Sequence, residues 1–148
     1  MDIKEQLNAT GSLTIVKTND LGIVTEKVHV PNLVVTTGKT FIASRMAGTA
    51  SSVMSHMGLG SGTTAPVAAD TALQTSLGAN VALTSSTASS NTVTYVATFG
   101  AGVSTGAVTE AGIFNALSSG TMLCRTTFPV VNKGASDTIT VTWVVTVS

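Results

Sequence analysis

Charge is what this chain is shortest of. Asp, Glu, Lys and Arg make up 9% of its 148 residues, against about 25% in an ordinary soluble domain. Seven basic and seven acidic side chains cancel. The basic ones (Lys4, Lys17, Lys27, Lys39, Arg45, Arg125 and Lys133) are scattered along the chain. Phosphate binding needs a clustered basic surface, so the pattern argues against a nucleic-acid partner. Cysteine is equally scarce: Cys124 stands alone, which leaves no intrachain disulfide. His29 and His56 are the two histidines. A protein metal site needs three or four converging ligands, and nothing sits at ligand spacing around either one. Aromatic residues are few, namely Phe41, Tyr95, Phe99, Phe114, Phe128 and Trp143. Carbohydrate grooves and single-strand platforms rely on exposed aromatics, and these six are better spent in a core. No apolar run approaches the ~18 residues of a membrane span. The opening MDIKEQLNATG is polar, carries both signs of charge and has no apolar signal core. The expectation is synthesis and folding in a cytoplasm, with no membrane partner.

What the chain has in abundance is Thr and Ser, 42 residues together. They take the outward positions that Lys and Glu usually fill. Thr is β-branched, stiff at χ1, and suits a pleated surface. A neutral protein with so few charges is poorly protected against self-association, which points to an assembly that covers much of its surface.

The pattern along the chain is that of short strands. Residues 1–10 read as a flexible arm that either stays disordered or orders on a neighbouring subunit. Residues 12–18 and 23–30 alternate apolar and polar positions around Asn19, Asp20 and Gly22, and so predict a hairpin. Pro31 is expected to end its second strand. Residues 32–36 form a further short strand or an extended connection. Residues 37–48 predict a helix capped by Thr36 or Thr37 and ended by Gly48 in the left-handed region. Its GKT fragment is no phosphate loop, because Leu33 stands where that motif needs a glycine. Strands follow at 53–60, 81–85 and 92–99, with SSTASSN between the last two read as turn. Residues 107–116 and 121–128 bracket Ser118-Ser119-Gly120 as a hairpin, and Pro129 is expected to stop its second strand. After a turn at Asn132-Lys133-Gly134, residues 137–147 carry the strongest period-two signal: Ile139, Val141, Trp143, Val145 and Val147 alternate with threonines. The fold class expected is all-β: one antiparallel β-sandwich, jelly-roll-like, over residues 11–148, with one or two short helices.

The stretch Met57–Leu77 (MGLGSGTTAPVAADTALQTSL) resists this reading. Gly58, Gly60 and Gly62 alternate, yet they match neither a dinucleotide fingerprint nor a hydrolase elbow. They read as backbone permissiveness at a tight turn or at a close approach by another backbone, including that of another subunit. Residues 70–77 predict two helical turns, capped by Asp70 or by a Thr71/Gln74 box.

No catalytic, cofactor-binding or metal-binding residues are assigned, and the chain is expected not to be an enzyme. Cys124 lies mid-strand, where a packed core cysteine is the natural reading. His29 shares its parity with Lys27 and is expected to face solvent. Glu110 sits in an apolar strand, and the hairpin turn can bring it near Arg125. Two readings stand: an exposed rung of the sheet, or a structural Glu110–Arg125 pair, since a buried carboxylate needs a partner.

The segments MGLGSGTTAPVAADTALQTSL, VTYVATFGAG, TEAGIFNA and GTMLCRTTFPVVNKGASDTITVTWVVTV together resemble a family of small virion proteins of tailed bacteriophages, described as head-decoration or tail-fibre-like. The resemblance covers Asn32 to Ser148 and carries no catalytic motif. It implies a virion protein assembled in the bacterial host cytoplasm. The partners implied are its own copies, as homodimer or homotrimer, and the major capsid protein or other virion proteins. A capsid decoration (cement) protein on the outside of the head is one expectation. A tail-fibre, neck or baseplate component engaged in host attachment is the other.

Overall fold

Period-two alternation with β-branched residues on one or both faces builds half of the chain into strands. The computed structural model describes residues 2–49 and 52–148. Its elements are β1 (Ala9–Thr18), β2 (Val24–Val34), α1 (Thr36–Met46), β3 (His56–Gly60), β4 (Val81–Ala82), β5 (Ser85–Ser89), β6 (Thr92–Phe99), β7 (Gly106–Phe114), β8 (Met122–Lys133) and β9 (Thr138–Val147). The all-β, antiparallel expectation holds. All nine strands form one hydrogen-bonded order, β4-β3-β7-β8-β2-β1-β9-β6-β5, which curls like a half-barrel.

The curl is visible in the connections. β2 meets β8 only through Leu33↔Arg125 and Val34↔Cys124. Beyond that junction the sheet divides into a β5-β6-β9-β1-β2 half and a β4-β3-β7-β8 half. Leu83 and Thr84 alone separate β4 from β5, the two ends of the strand order. Leu83 N donates to Ser55 O at 2.9 Å, and Thr84 N donates to Val96 O at 2.7 Å. One extended run thus leaves one edge of the sheet and enters the other.

Inner faces of both halves share a core. Leu13 and Ile15 of β1, Ala97 and Phe99 of β6, and Ile139, Val141 and Trp143 of β9 meet Met57, Leu59, Ala111, Ile113 and Cys124 from the other half. Side chains so buried contribute about 1.5–3 kcal/mol each, which makes β9 the central core strand that its alternation predicts. A smaller cluster of Val35, Phe114 and Met122, with Leu73 against it, lies apart from this core.

Several expectations need correction. β2 runs through Pro31 and β8 through Pro129. Neither proline costs a ladder bond. At Pro31 the side away from β1 has no strand partner, and its carbonyl accepts from Thr126 Oγ1 at 2.7 Å. Pro129 sits in a bulge, where the step from Thr127 to Val131 on β8 is matched by only Glu110 to Val108 on β7. Asn132 and Lys133 belong to β8 and not to the turn. Residues 85–89, read as turn, are strand β5, and the hairpin turn is Ser90-Asn91 with Ser90 at φ 53°. α1 forms, but Val35 is its N-cap and makes no side-chain cap bond. Thr37 Oγ1 instead donates to Met122 O at 3.0 Å, tying the helix to β8. Gly48 ends the helix at φ 67°, as expected. β1 begins at Ala9, and Asn8 exchanges backbone bonds with Ser148 (2.6 and 2.8 Å), so only residues 2–7 of the described arm lie outside the sheet. Met1 lies outside the described residues.

Candidate functional site

The β7–β8 ladder sets Glu110 opposite Thr127 and Arg125 opposite Gly112, which makes the two charged side chains diagonal neighbours. Both are fully buried. Arg125 Nε and Nη2 each lie 2.9 Å from Glu110 Oε2. Its Nη1 donates to Asp70 Oδ2 at 2.9 Å and its Nη2 to Thr64 O at 3.0 Å. Of the two readings of Glu110, the structure selects the pair.

What covers the pair is the glycine-rich stretch. Glu110 Oε1 accepts from the main-chain N–H of Gly62 (3.0 Å) and Thr75 (2.8 Å), and Oε2 accepts from that of Gln74 (3.0 Å). Thr109 Oγ1 adds a bond to Gly62 O at 2.8 Å. Taking a carboxylate and a guanidinium out of water costs several kcal/mol per ion. Here charge-assisted bonds engage both carboxylate oxygens and all three guanidinium nitrogens, which offsets that cost. The cluster therefore works as a clasp that fixes residues 61–77 over the outer side of β7–β8.

The clasp also explains why the second expected helix is absent. Residues 70–77 contain turns and an isolated bridge, Gly60↔Ser76. The N–H groups of Gln74 and Thr75 are taken by Glu110, Leu77 N donates to Leu59 O, and Asp70 serves Arg125 and Val67 N. Backbone groups so claimed are not free for helical bonding. Two of the three alternate glycines, Gly60 and Gly62, have the same origin; Gly58 is instead crowded by Asn80 and Leu73. A Cβ on Gly60 or Gly62 would stand 2.5 Å from Glu110 Oε1. Of the expected tight turn or close approach, these two glycines show a close approach, made within the chain by Glu110 and Thr75.

The remaining singled-out residues are not brought together. His29 is exposed and bonds Thr14 Oγ1 through Nδ1 at 2.8 Å. His56, in β3, bonds Ser55 Oγ at 2.8 Å. Among the described residues, no group of three or more His, Cys, Asp or Glu is placed to hold a metal ion, and no helix is long and apolar enough to cross a membrane. Cys124 is buried opposite Ile113, and burial pushes its thiol well above the ordinary range. Burial, with a smaller push from Cys124, raises the Tyr95 phenol to about 12. Lys133 reaches in from the end of β8 to Gly100 O at 2.8 Å, and burial lowers its pKa against a weaker opposing effect of Asp137.

Two of the open features on the described surface adjoin the arm and the irregular segment. The first is an apolar groove of about 260 Å³ between the base of the arm (Leu7, Ala9) and α1 (Ile42, Ala43, Met46), with Lys39 on its wall. Leu7 and Met46, which line it, are 68% and 83% exposed, and Ile3 further along the arm is 80% exposed. The second is a hollow of about 480 Å³ between residues 71–80 and the turn after β7, edged by Thr71, Ser76, Asn80, Ser118 and Ser119.

Sequence reasoning offered the Glu110–Arg125 pair as one of two readings and missed Asp70 as the third member and the main-chain grip on residues 62–75. The available signal was scarcity: Asp70 is the one Asp, Glu, Lys or Arg between Arg45 and Glu110. Comparison with protein-family models, with curated proteins and with solved structures returns no match.

Proposed function

We propose that this chain is a non-enzymatic structural protein of a phage virion, and specifically a capsid decoration protein that binds the outside of the head and bridges capsid subunits. The observation that carries this reading is the arm. Residues 2–7 leave the sheet with Ile3 and Leu7 exposed, and Leu7 lines an apolar groove against α1. A polar arm carrying two exposed apolar side chains, with an apolar groove at its base, suits an exchange of arms between neighbouring subunits, self or capsid. The body behind them is well suited to a passive support. It is a closed-up, nearly neutral β domain whose longest irregular segment is locked by buried charge. The finer architecture proposed for it is a sandwich of jelly-roll type, because the two-residue β2–β8 junction leaves two sheet halves facing one core.

Deleting residues 1–7 tests the reading. Binding to decorated heads is expected to weaken, while the unfolding midpoint stays within error of the full chain. Unchanged affinity would count against the arm. Copy number per particle tests the location, because a head-decorating protein is present in hundreds of copies and a few dozen or fewer would sink the idea.

A second reading, a tail-fibre, neck or baseplate component, draws on the hydroxyl- and amide-edged hollow beside Asn80, whose chemistry suits a host glycan. It predicts low copy number and saturable binding of host surface saccharide that is lost on filling the hollow with Ser119→Trp.

A further inference from the structure

We infer that the outer edge of β5 is a homotypic contact, at which a second copy of this chain pairs antiparallel about Thr87 and extends the sheet across a two-fold axis. The inference goes beyond the virion reading and does not depend on it.

β5 is the last strand of the order, bonded on one side to β6, and all five of its residues are exposed. The direction of its backbone groups follows from its neighbours. Asn91 O accepts from Val147 N at 2.9 Å. Backbone groups alternate sides along a strand. Residues of β6 in register with Asn91 (Val93, Tyr95) therefore turn to β9, and Thr92 and Thr94 turn to β5. Thr87, opposite Thr94, bonds inward. Ser86 and Ala88 consequently present their N–H and C=O groups outward, with no strand to receive them.

The contrast with another open edge supports a use for this one. β2 is unpaired on its far side from Val24 to Asn32. That edge carries Glu26, Lys27 and Pro31, the charge and proline with which proteins block unwanted strand pairing. β5 has none of these devices. From Thr71 to Thr109 the sequence contains no Asp, Glu, Lys, Arg or His at all. A neutral edge is compatible with its own copy, because a two-fold contact sets the same patch against itself and a net charge on the edge would face the same net charge.

The register is set by the outward groups. Ser86 pairs with Ala88 of the second copy and Ala88 with its Ser86, each exchanging two backbone bonds. Thr87 faces Thr87, and Ser85 faces Ser89. Thr87–Thr87 is then a non-hydrogen-bonded pair, the closer of the two kinds. The edge is short, so pairing is weak between free molecules and strengthens when copies are held side by side.

Cysteine trapping tests this register. Native Cys124 is buried and stays out of the reaction. In concentrated protein under mild oxidation, Thr87→Cys is expected to give a disulfide-linked dimer on a non-reducing gel. Ser85→Cys alone and Ser89→Cys alone are expected to give none, and the two mixed are expected to crosslink to each other. Adding Ala88→Pro to Thr87→Cys removes an outward N–H on an edge strand, where proline is tolerated, and is expected to abolish the crosslink. Equal crosslinking by Ser85→Cys, Ser89→Cys and Thr87→Cys, or none by any, would overturn the proposal. So would a crosslink that survives Ala88→Pro. Failure here leaves the arm-deletion result untouched, and the reverse also holds.

Discussion

Removing the guanidinium of Arg125 is the most informative single change. Arg125→Met takes away the Nε and Nη2 contacts to Glu110, the Nη1 contact to Asp70 and the bond to Thr64 O. Glu110 keeps three main-chain donors but loses its cation at a site with no exposure. Truncating one partner of a buried pair costs about 3–5 kcal/mol, a large share of the roughly 5–15 kcal/mol that holds a domain together. Glu110→Gln is different in kind. Every group around that carboxylate is a donor, so whichever way the amide turns, its NH₂ faces at least one N–H. Two or three donors lose their acceptor, at about 1–3 kcal/mol for each that stays unsatisfied. In the double variant the lone Glu110 charge is gone; the orphaned donors remain, together with the Asp70 carboxylate that every Arg125→Met protein leaves without its cation. The double is therefore expected to lose about 1–3 kcal/mol less than the sum of the singles, the upper part of the range for residues in contact. Urea unfolding followed by the emission of Trp143 measures all four proteins. It is the chain's one tryptophan, it is fully buried, and it lies on a strand other than the two mutated. Additivity to within about 0.5 kcal/mol would refute a direct pair.

Gly62→Ala is expected to destabilise by about 1–3 kcal/mol through overpacking, since its Cβ would meet Glu110 Oε1 at 2.5 Å and Gln74 Cβ at 2.6 Å. Gly100→Ala, with nothing within 4 Å, is the matched control, and equal midpoints for the two would remove close approach as the reason for the glycine. The Cys124 thiol, held neutral by burial, should not react with an aromatic disulfide reagent at pH 8 until denaturant unfolds the chain; stoichiometric reaction of the native protein would contradict its placement. Tyr95 has a folded pKa raised to about 12 from 10. Its contribution to stability is complete below pH 10 and is lost as pH rises from 10 through 12. Urea midpoints between pH 8 and pH 11.5 should accordingly fall further for the wild type than for Tyr95→Phe, and parallel curves would mean that the phenol is not buried in the folded state.

Strands were legible wherever one face is buried and the other is not. β9 and β6 show this most clearly, because Ile139 to Val145 and Val93 to Phe99 alternate against Thr on a half-exposed sheet. β5 was illegible for the complementary reason: none of its residues is buried, so SSTAS has no alternation to show and reads as turn. The prolines misled because their meaning depends on which edge is paired. Pro31 and Pro129 break a ladder only where a partner strand needs their N–H, and the chain gives them a divergence and a bulge. The false helix at 70–77 has a third cause. Local capping chemistry favoured it, and a distant carboxylate claimed its N–H groups. Of the clasp, the Glu110–Arg125 half was accessible because a hairpin brings near what is near in sequence. The Asp70 half spans 55 residues and depends on the path of an irregular segment.

The grip on residues 61–77 has one further property. Glu110 and Arg125 hold that segment through the N–H of Gly62, Gln74 and Thr75 and the carbonyl of Thr64, and Asp70 is the one side chain of the segment that they need. The side chains of Thr63, Thr64, Thr71, Gln74 and Thr75 point away into solvent-exposed positions and carry none of these bonds. Apart from Asp70, the glycine at 62 that leaves room, and Leu73 and Leu77, which pack against the buried clusters, the letters of this segment are uncoupled from its shape. It is a display surface: its sequence can be varied, by descent or in a library, while its conformation is kept by two residues that belong to the sheet beneath it.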